Sequence, residues 1–241
     1  LQAVSVAVSA GETVGIVGES GSGKSTLARC LIRLIDPTGG QVLWSRPGQG
    51  PDGALIDVAN FREGQLRPLR SQVQVVFQDP IRSLNPRRKV GDSIVEGAMN
   101  FGAGRAEALA LAASLMEKVR LPVEGLQRYP SQFSGGQRQR IAIARALACR
   151  PRVLVADEAV SALDVSVQAQ ILVLLREIQA ELGLGLIFIT HDLRVAAQLC
   201  DRVMVMHQGR LVEEAATAQL YAHPQHDYTR KLFAAAPAEI G

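Results

Sequence analysis

The sequence is poor in cysteine and in aromatic residues, and it contains no long hydrophobic run. Its three cysteines, Cys30, Cys149 and Cys200, lie far apart without CxxC spacing, which argues against a disulfide framework and against a zinc or iron–sulfur motif. The longest apolar run, residues 182–190, is much shorter than the roughly 20 residues of a membrane-spanning helix. The N-terminus lacks a basic segment followed by a continuous apolar stretch, so no signal peptide is indicated.

Charge is nearly balanced, with 26 Lys and Arg against 23 Asp and Glu in 241 residues. This balance argues against a disordered chain or a tail that coats nucleic acid, so we expect no nucleic-acid partner. The length suits one α/β domain, with or without an insert. Because the first residue is Leu rather than Met, we expect that the protein has residues upstream of Leu1.

Apolar runs alternate with segments of helical periodicity along most of the chain. Strands are predicted at residues 14–17, 73–77, 153–156, 186–190 and 203–206. Helices are predicted at residues 25–35, 105–119, 136–149 and 166–182. A Gly- and Pro-rich loop is predicted at 47–53 and a helical insert at about 84–145. This alternation predicts an α/β fold with a largely parallel sheet covered on both faces.

A glycine-rich motif joins the first predicted strand to the first predicted helix. It fits the pattern GxxxxGK[ST], and its candidate ligand-binding residues are Gly18, Glu19, Ser20, Gly21, Ser22, Gly23, Lys24, Ser25 and Thr26. Glycines let such a loop turn its N–H groups toward a polyphosphate, which also faces the positive end of the helix. Lys24 is predicted to reach the β- and γ-phosphates, and the Ser25 hydroxyl to bind Mg²⁺.

Two carboxylates, Asp157 and Glu158, follow the predicted strand at 153–156. In open α/β sheets this is the edge at which ligands bind. Asp157 is suited to hold Mg²⁺, directly or through water, and Glu158 to orient or deprotonate an attacking water. A second Ser- and Gly-rich segment, Ser134, Gly135, Gly136 and Gln137, opens another predicted helix and is a second candidate anion site.

This second segment resembles the LSGGQ signature of the ATP-binding cassette (ABC) ATPases, with Phe133 in the place of Leu. Other family motifs follow in the same order. Gln78 matches the Q-loop, residues 161–164 with Asp164 match the D-loop, and His191 matches the switch histidine. The resemblance covers nearly the whole chain and implies a P-loop NTPase fold of the ABC type, with a mostly parallel sheet and a helical insert.

The resemblance also implies roles for these residues. It implies ATP and Mg²⁺ as cofactors, with Glu158, His191, Gln78 and Lys24 as catalytic residues and with Ser25, Gln78 and Asp157 as metal ligands. In the family, two ATPase halves sandwich ATP head to tail, so Ser134, Gly135, Gly136, Gln137 and Asp164 would contact nucleotide held by the second half. That half could be identical, paralogous or fused upstream.

The resemblance divides the chain into three parts. The sequence departs from the family pattern at two places. Residues 1–83 and 146–222 would form the ATPase core with an N-terminal β part, 84–145 the signature subdomain, and 223–241 a C-terminal tail. Ala159 and Val160 stand where many members have Pro and Thr. The first aromatic residue is Trp44, so no adenine-stacking residue precedes the glycine-rich loop, and we expect it upstream of Leu1.

Three stretches are similar to the ATP-binding subunits of bacterial dipeptide, oligopeptide and nickel importers. They lie at residues 77–87, 163–170 and 223–229. The similarity implies membrane-spanning permease partners and a peripheral location on the cytoplasmic face of the cell membrane. Two alternatives stay open: an accessory ATPase of a soluble multisubunit enzyme, such as the carbon–phosphorus lyase machinery, and an ATP-dependent clamp or scaffold. In such importers the choice of substrate would reside in the permease and its binding protein.

Overall fold

A computed structural model describes residues 1–46 and 54–235, so the predicted loop at 47–53 and the end of the tail, 236–241, lie outside the described residues. The strands are β1 (Thr13–Val17), β2 (Leu43–Ser45), β3 (Leu55–Asp57), β4 (Val73–Phe77), β5 (Val153–Asp157), β6 (Gly185–Thr190), β7 (Arg202–His207) and β8 (Arg210–Ala216). The helices are α1 (Lys24–Leu31), α2 (Glu63–Leu66), α3 (Pro80–Ser83), α4 (Val90–Asn100), α5 (Arg105–Lys118), α6 (Gly135–Leu147), α7 (Val165–Leu182), α8 (Leu193–Leu199), α9 (Thr217–Ala222) and α10 (Asp227–Ala235).

Six strands form one sheet in the order β4-β5-β6-β1-β7-β8. The neighbours from β4 to β7 pair in parallel, and only β8 is antiparallel to its neighbour, β7. The expected largely parallel sheet is confirmed. All residues of β1 and β6 are buried, as the centre of a sheet covered on both faces requires. Strands β2 and β3 form a separate antiparallel pair.

Helices cover the two faces of the sheet in different ways. On one face, Leu27 and Ala28 of α1 pack with Ile16, Val155 and Ile187 of the sheet. On the other face, α6, α7 and α8 join a larger apolar core with strand residues of β4, β5 and β6. Of the helices that lie between β4 and β5 in sequence, α4, α5 and α6 belong to that same core. Helix α6 contacts α3, α4, α5, α7 and β4.

The first helix ends earlier than its sequence predicts, and three strands were not predicted. We expected a helix to residue 35, whereas α1 ends at Leu31. Arg33 has a φ of 54°, and the N–H of Leu34 donates to the carbonyl of Arg29, so the chain turns out of the helix before residue 35. Strands β2, β3 and β8 carry too few consecutive apolar residues to be recognised in isolation. Within residues 1–46 and 54–235, none of the helices combines the length and hydropathy needed to cross a bilayer.

Candidate functional site

The carboxyl ends of four adjacent strands meet at one edge of the sheet. Asp157 of β5 is in register with Phe77 of β4 and with Ile189 of β6, while Thr190 of β6 is in register with Val17 of β1. The residues that follow these strand ends are Gln78, Glu158, His191 and Gly18. Parallel pairing therefore gathers four sequence motifs, separated by up to 173 positions (191 minus 18), at one edge.

The glycine-rich loop wraps around the ammonium group of Lys24. Gly23 has a φ of 103°, a left-handed conformation that favours glycine, and α1 begins directly after it at Lys24. Lys24 is only 4% exposed, and its Nζ donates to the carbonyl oxygens of Gly18 at 2.7 Å and Glu19 at 2.9 Å. Burial lowers the pKa of Lys24 more than the nearby carboxylates of Glu158 and Asp157 raise it. The loop thus holds a poorly hydrated cation that an anionic ligand would stabilise.

Ser25 and Asp157 form the oxygen-rich side of the site. The Ser25 hydroxyl donates to Oδ1 of Asp157 at 3.1 Å. Burial raises the pKa of Asp157, and the hydrogen bond from Ser25 opposes that rise only in part. Throughout residues 1–46 and 54–235, no group of three or more His, Cys, Asp or Glu side chains could hold a metal ion. The hydroxyl of Ser25 and the carboxylate of Asp157 are hard oxygen groups that fit Mg²⁺, which typically completes its shell with phosphate and water.

Glu158 and His191 face each other at the ends of β5 and β6. Oε1 of Glu158 lies 3.6 Å from Nδ1 of His191, and both side chains are accessible to water. Glu158 has a φ of 50°, which is uncommon for a residue other than glycine and costs free energy of order 1–3 kcal/mol. Ser161 holds this turn through a hydrogen bond from its hydroxyl to the Glu158 carbonyl at 2.8 Å. The pair is placed to position a water molecule.

The signature segment lies at the exposed start of α6. Ser134 and Gln137 form a reciprocal capping box, with the Ser134 hydroxyl accepting from the Gln137 N–H at 3.3 Å and the Gln137 side chain accepting from the Ser134 N–H at 2.9 Å. Among the described residues, no hydrogen bond or ion pair joins residues 134–137 to residues 18–26. Asp164 is exposed at the start of α7. The predicted site residues therefore fall into two groups, one at the sheet edge and one at the start of α6 and α7.

Two contacts at the site were not anticipated from the sequence. Ser161 was recognised only as part of a motif, yet it bonds to Glu158. Tyr228 of α10 was noted only as part of the C-terminal tail, yet its hydroxyl accepts the N–H of Glu19 at 3.2 Å. The Ser161 contact is local, because the two residues are three positions apart in one turn. Tyr228 and Glu19 are 209 positions apart, so only tertiary folding brings them together. Trp44, the first aromatic residue, is buried and donates from its indole N–H to the carbonyl of Leu31.

Comparison with known proteins matches residues 1–161 to the family model described as "ABC transporter". The chain belongs to the ABC transporter family. It is therefore a nucleotide-binding ATPase domain with the P-loop NTPase fold of the ABC type.

Individual relatives agree with this assignment. The chain is 50% identical over 99% of its length to a Brucella ovis protein named "Putative peptide import ATP-binding protein", of which it covers 73%. It is 49% identical over 94% of its length to the glutathione import ATP-binding protein of Salmonella paratyphi A, of which it covers 35%. A dimeric ATP-binding cassette solved in a post-hydrolysis state with ADP and Pi is 29% identical, with a TM-score of 0.72 and 88% of each chain covered.

Proposed function

We propose that this ABC ATPase powers a bacterial importer of peptides or related small solutes. The observation that carries the proposal is the meeting of Lys24, Ser25, Asp157, Glu158 and His191 at one edge of the sheet. That set contains a phosphate-binding cation, hard oxygen ligands and a carboxylate–imidazole pair, which together are suited to phosphoryl transfer to water. The class of solute comes from the relatives named for peptide and glutathione import.

The residues at the sheet edge have separate roles in hydrolysis. The loop N–H groups and Lys24 would bind the β- and γ-phosphates, exchanging the Gly18 and Glu19 carbonyls for phosphate oxygens. Ser25 and Asp157, with Gln78 at the neighbouring strand end, would hold Mg²⁺, which neutralises charge on the transferred phosphoryl group. Glu158 would accept the proton of the attacking water, and His191 would hold that water and the γ-phosphate in line.

The second half of the site would come from another ATPase chain. Ser134 is exposed at the start of α6, and a helix N-terminus favours anions. We therefore propose that Ser134 and Gly136 contact the γ-phosphate of ATP bound by the opposite chain, with Asp164 alongside. ATP would then join two halves and hydrolysis would release them, which converts nucleotide state into movement.

The partners in transport would be membrane-spanning permease subunits. Gln78 follows β4 and precedes α3, so it connects the sheet edge with the helices between β4 and β5. A surface formed by these helices would receive the permease, and Gln78 would transmit the state of the nucleotide. In that arrangement the ATPase is peripheral on the cytoplasmic face of the cell membrane.

The direct test is Mg²⁺-dependent ATP turnover of the purified chain and of Glu158→Gln, with the molar mass of each measured by light scattering with and without ATP. Removing a general base typically costs about 100- to 10,000-fold in rate, and we expect a loss in that range. Because the variant still binds ATP but does not cleave it, we also expect it to accumulate as an ATP-dependent dimer.

Glu177→Gln is the matched control. Glu177 lies on α7 in an exposed ion pair with Arg120, so the same chemical change there should leave turnover within about twofold. Full turnover by Glu158→Gln would show that Glu158 is not the base.

Copurification from cells distinguishes an importer subunit from an accessory enzyme subunit. We expect permease subunits to copurify with the chain, and soluble enzyme subunits in their place would contradict the importer function.

A further inference from the structure

The C-terminal tail segment, residues 223–235, is attached to the edge strand of the sheet. The carboxylate of Glu213 in β8 accepts the N–H of Gln225 at 2.7 Å and the N–H of His226 at 2.9 Å. Burial alone would raise the pKa of Glu213, but the hydrogen bonds from the N–H groups of Gln225 and His226 help to outweigh it, so that the net pKa lies below its usual range. The start of α10 is thus held by an ionised carboxylate.

From this position Tyr228 reaches the glycine-rich loop. Its ring stacks on that of His207, the last residue of β7, with 3.8 Å between ring centroids. Its hydroxyl accepts the N–H of Glu19 at 3.2 Å. The tail segment therefore contacts the second residue of the phosphate-binding motif through a group 209 positions away in sequence.

The turn between β7 and β8 holds the same loop from a second point. The N–H of Gly209 donates to the carbonyl of Ser22 at 2.9 Å, and Ser22 in turn donates its N–H to the carbonyl of Glu19 at 3.2 Å. Gly18 lies directly on this hairpin, since a Cβ there would lie 2.2 Å from the carbonyl oxygen of Met206. Residues 19–22 are thus fixed at both ends, at Glu19 by Tyr228 and at Ser22 by Gly209.

We propose that Tyr228 is a positioning residue for nucleotide binding, through which the tail segment holds residues 19–22 in their phosphate-binding conformation. A loop that is already ordered loses less conformational entropy when the ligand binds, and affinity rises accordingly. The contact involves no transferred proton and none of the reacting atoms, so it acts on binding and not on the chemical step. This inference rests on the proposed binding of ATP by the glycine-rich loop.

Tyr228→Phe tests the contact, because it keeps the ring on His207 and removes only the hydroxyl acceptor. One hydrogen bond to the backbone corresponds to a rise of about 3- to 10-fold in Kd for ATP, measured by calorimetry on the purified chain. The KM for ATP should rise in parallel while kcat stays within about twofold, because the contact does not involve the reacting atoms. Hydrogen exchange should become faster at the Glu19 amide.

Tyr221→Phe is the matched control. Tyr221 lies in α9, and its hydroxyl donates to the carbonyl of Leu193 instead of the loop. It should lower the melting temperature and leave the Kd for ATP unchanged. Equal weakening of ATP binding in both tyrosine variants would overturn the proposal, because a general loss of stability would then explain the effect.

A second variant tests the attachment of the tail. Glu213→Gln removes the charge that accepts the N–H groups of Gln225 and His226, and we expect a smaller rise in Kd than for Tyr228→Phe. Native affinity in both Tyr228→Phe and Glu213→Gln would overturn the positioning role while leaving ATP binding intact. If the unaltered chain fails to bind ATP, the proposed function is overturned as well. Lys24→Ala is expected to abolish ATP binding, so it distinguishes failure of the proposed ATP site from failure of the positioning role alone.

Discussion

The two halves of the proposed nucleotide site differ in how far this chain alone completes them. At the sheet edge, Lys24 and Asp157 are buried and hydrogen-bonded, and burial alters the pKa of both. At the start of α6, Ser134, Gly135 and Gln137 are exposed and bond only within their own turn or helix. In the first half, burial destabilises charged groups within one chain, and a bound ligand would relieve that cost. The second half is an exposed surface, so its nucleotide must be held by another chain.

The largest expected effect separates the two halves functionally. Ser134→Glu places a negative charge where the γ-phosphate of the opposite chain would lie, and we expect turnover to fall by about 100-fold or more. The Kd of the isolated chain for ATP should change less than twofold, because the sheet edge is unaltered. An acidic residue near a helix N-terminus is favourable, so folding should be preserved.

Ser114→Glu, on the exposed face of α5, serves as the control for added charge and should turn over ATP normally. Weakened ATP binding by the isolated Ser134→Glu chain would contradict the separation of the halves, since it would place Ser134 in the same chain's site.

A smaller effect concerns how the signature helix is held in place. A Cβ at Gly136 would lie 2.4 Å from Cγ1 of Val167 in α7, whereas a Cβ at Gly135 would lie 3.8 Å from Leu163. Gly136→Ala should cost about 1–3 kcal/mol through overpacking, measured by denaturant unfolding, and Gly135→Ala should be neutral or stabilising by up to about 1 kcal/mol.

Adding Val167→Ala to Gly136→Ala should recover part of the lost stability. If both glycine variants are equally stable, close packing of α6 on α7 does not explain the presence of Gly136.

The smallest effect measures the cost of burying charge at the sheet edge. Because burial raises the folded-state pKa of Asp157, the ionised side chain destabilises the fold above that pKa, and the cost disappears as the pH falls toward about 4. Asp157→Asn should therefore stabilise the nucleotide-free chain at pH 7.5 by about 1 kcal/mol, or about 2–4 °C in Tm, and much less at pH 4.5.

Asp192→Asn should behave in the opposite way. Burial raises the pKa of Asp192, but the side-chain and backbone hydrogen bonds from Arg194 outweigh it and the net pKa is lowered. Its ionised form stabilises the fold above the unfolded-state pKa, so Asp192→Asn should lower Tm at pH 7.5. A lower Tm for Asp157→Asn as well would show that the Ser25 hydrogen bond outweighs the burial cost.

Sequence predicted five of the six strands of the main sheet and missed only β8 at one edge. Strands β1 and β6 lie buried on both faces, so each is a continuous apolar run that is visible without any neighbour. Strand β8 has only partly buried or exposed residues, and it is extended because it pairs with β7. The end of α1 was misplaced because its apolar residues continue to Ile35, while Arg33 turns the backbone away.

The sequence by itself determined the chemistry: a glycine-rich loop before Lys24, paired carboxylates after an apolar strand, and a capped helix start at Ser134 are local patterns with local physical causes. Tertiary structure alone decided which groups meet. Parallel register brings Glu158 to 3.6 Å from His191, and the packing of α10 on the β7–β8 turn brings Tyr228 to the loop. Such contacts depend on long-range packing, which leaves no periodicity in the segments that it joins.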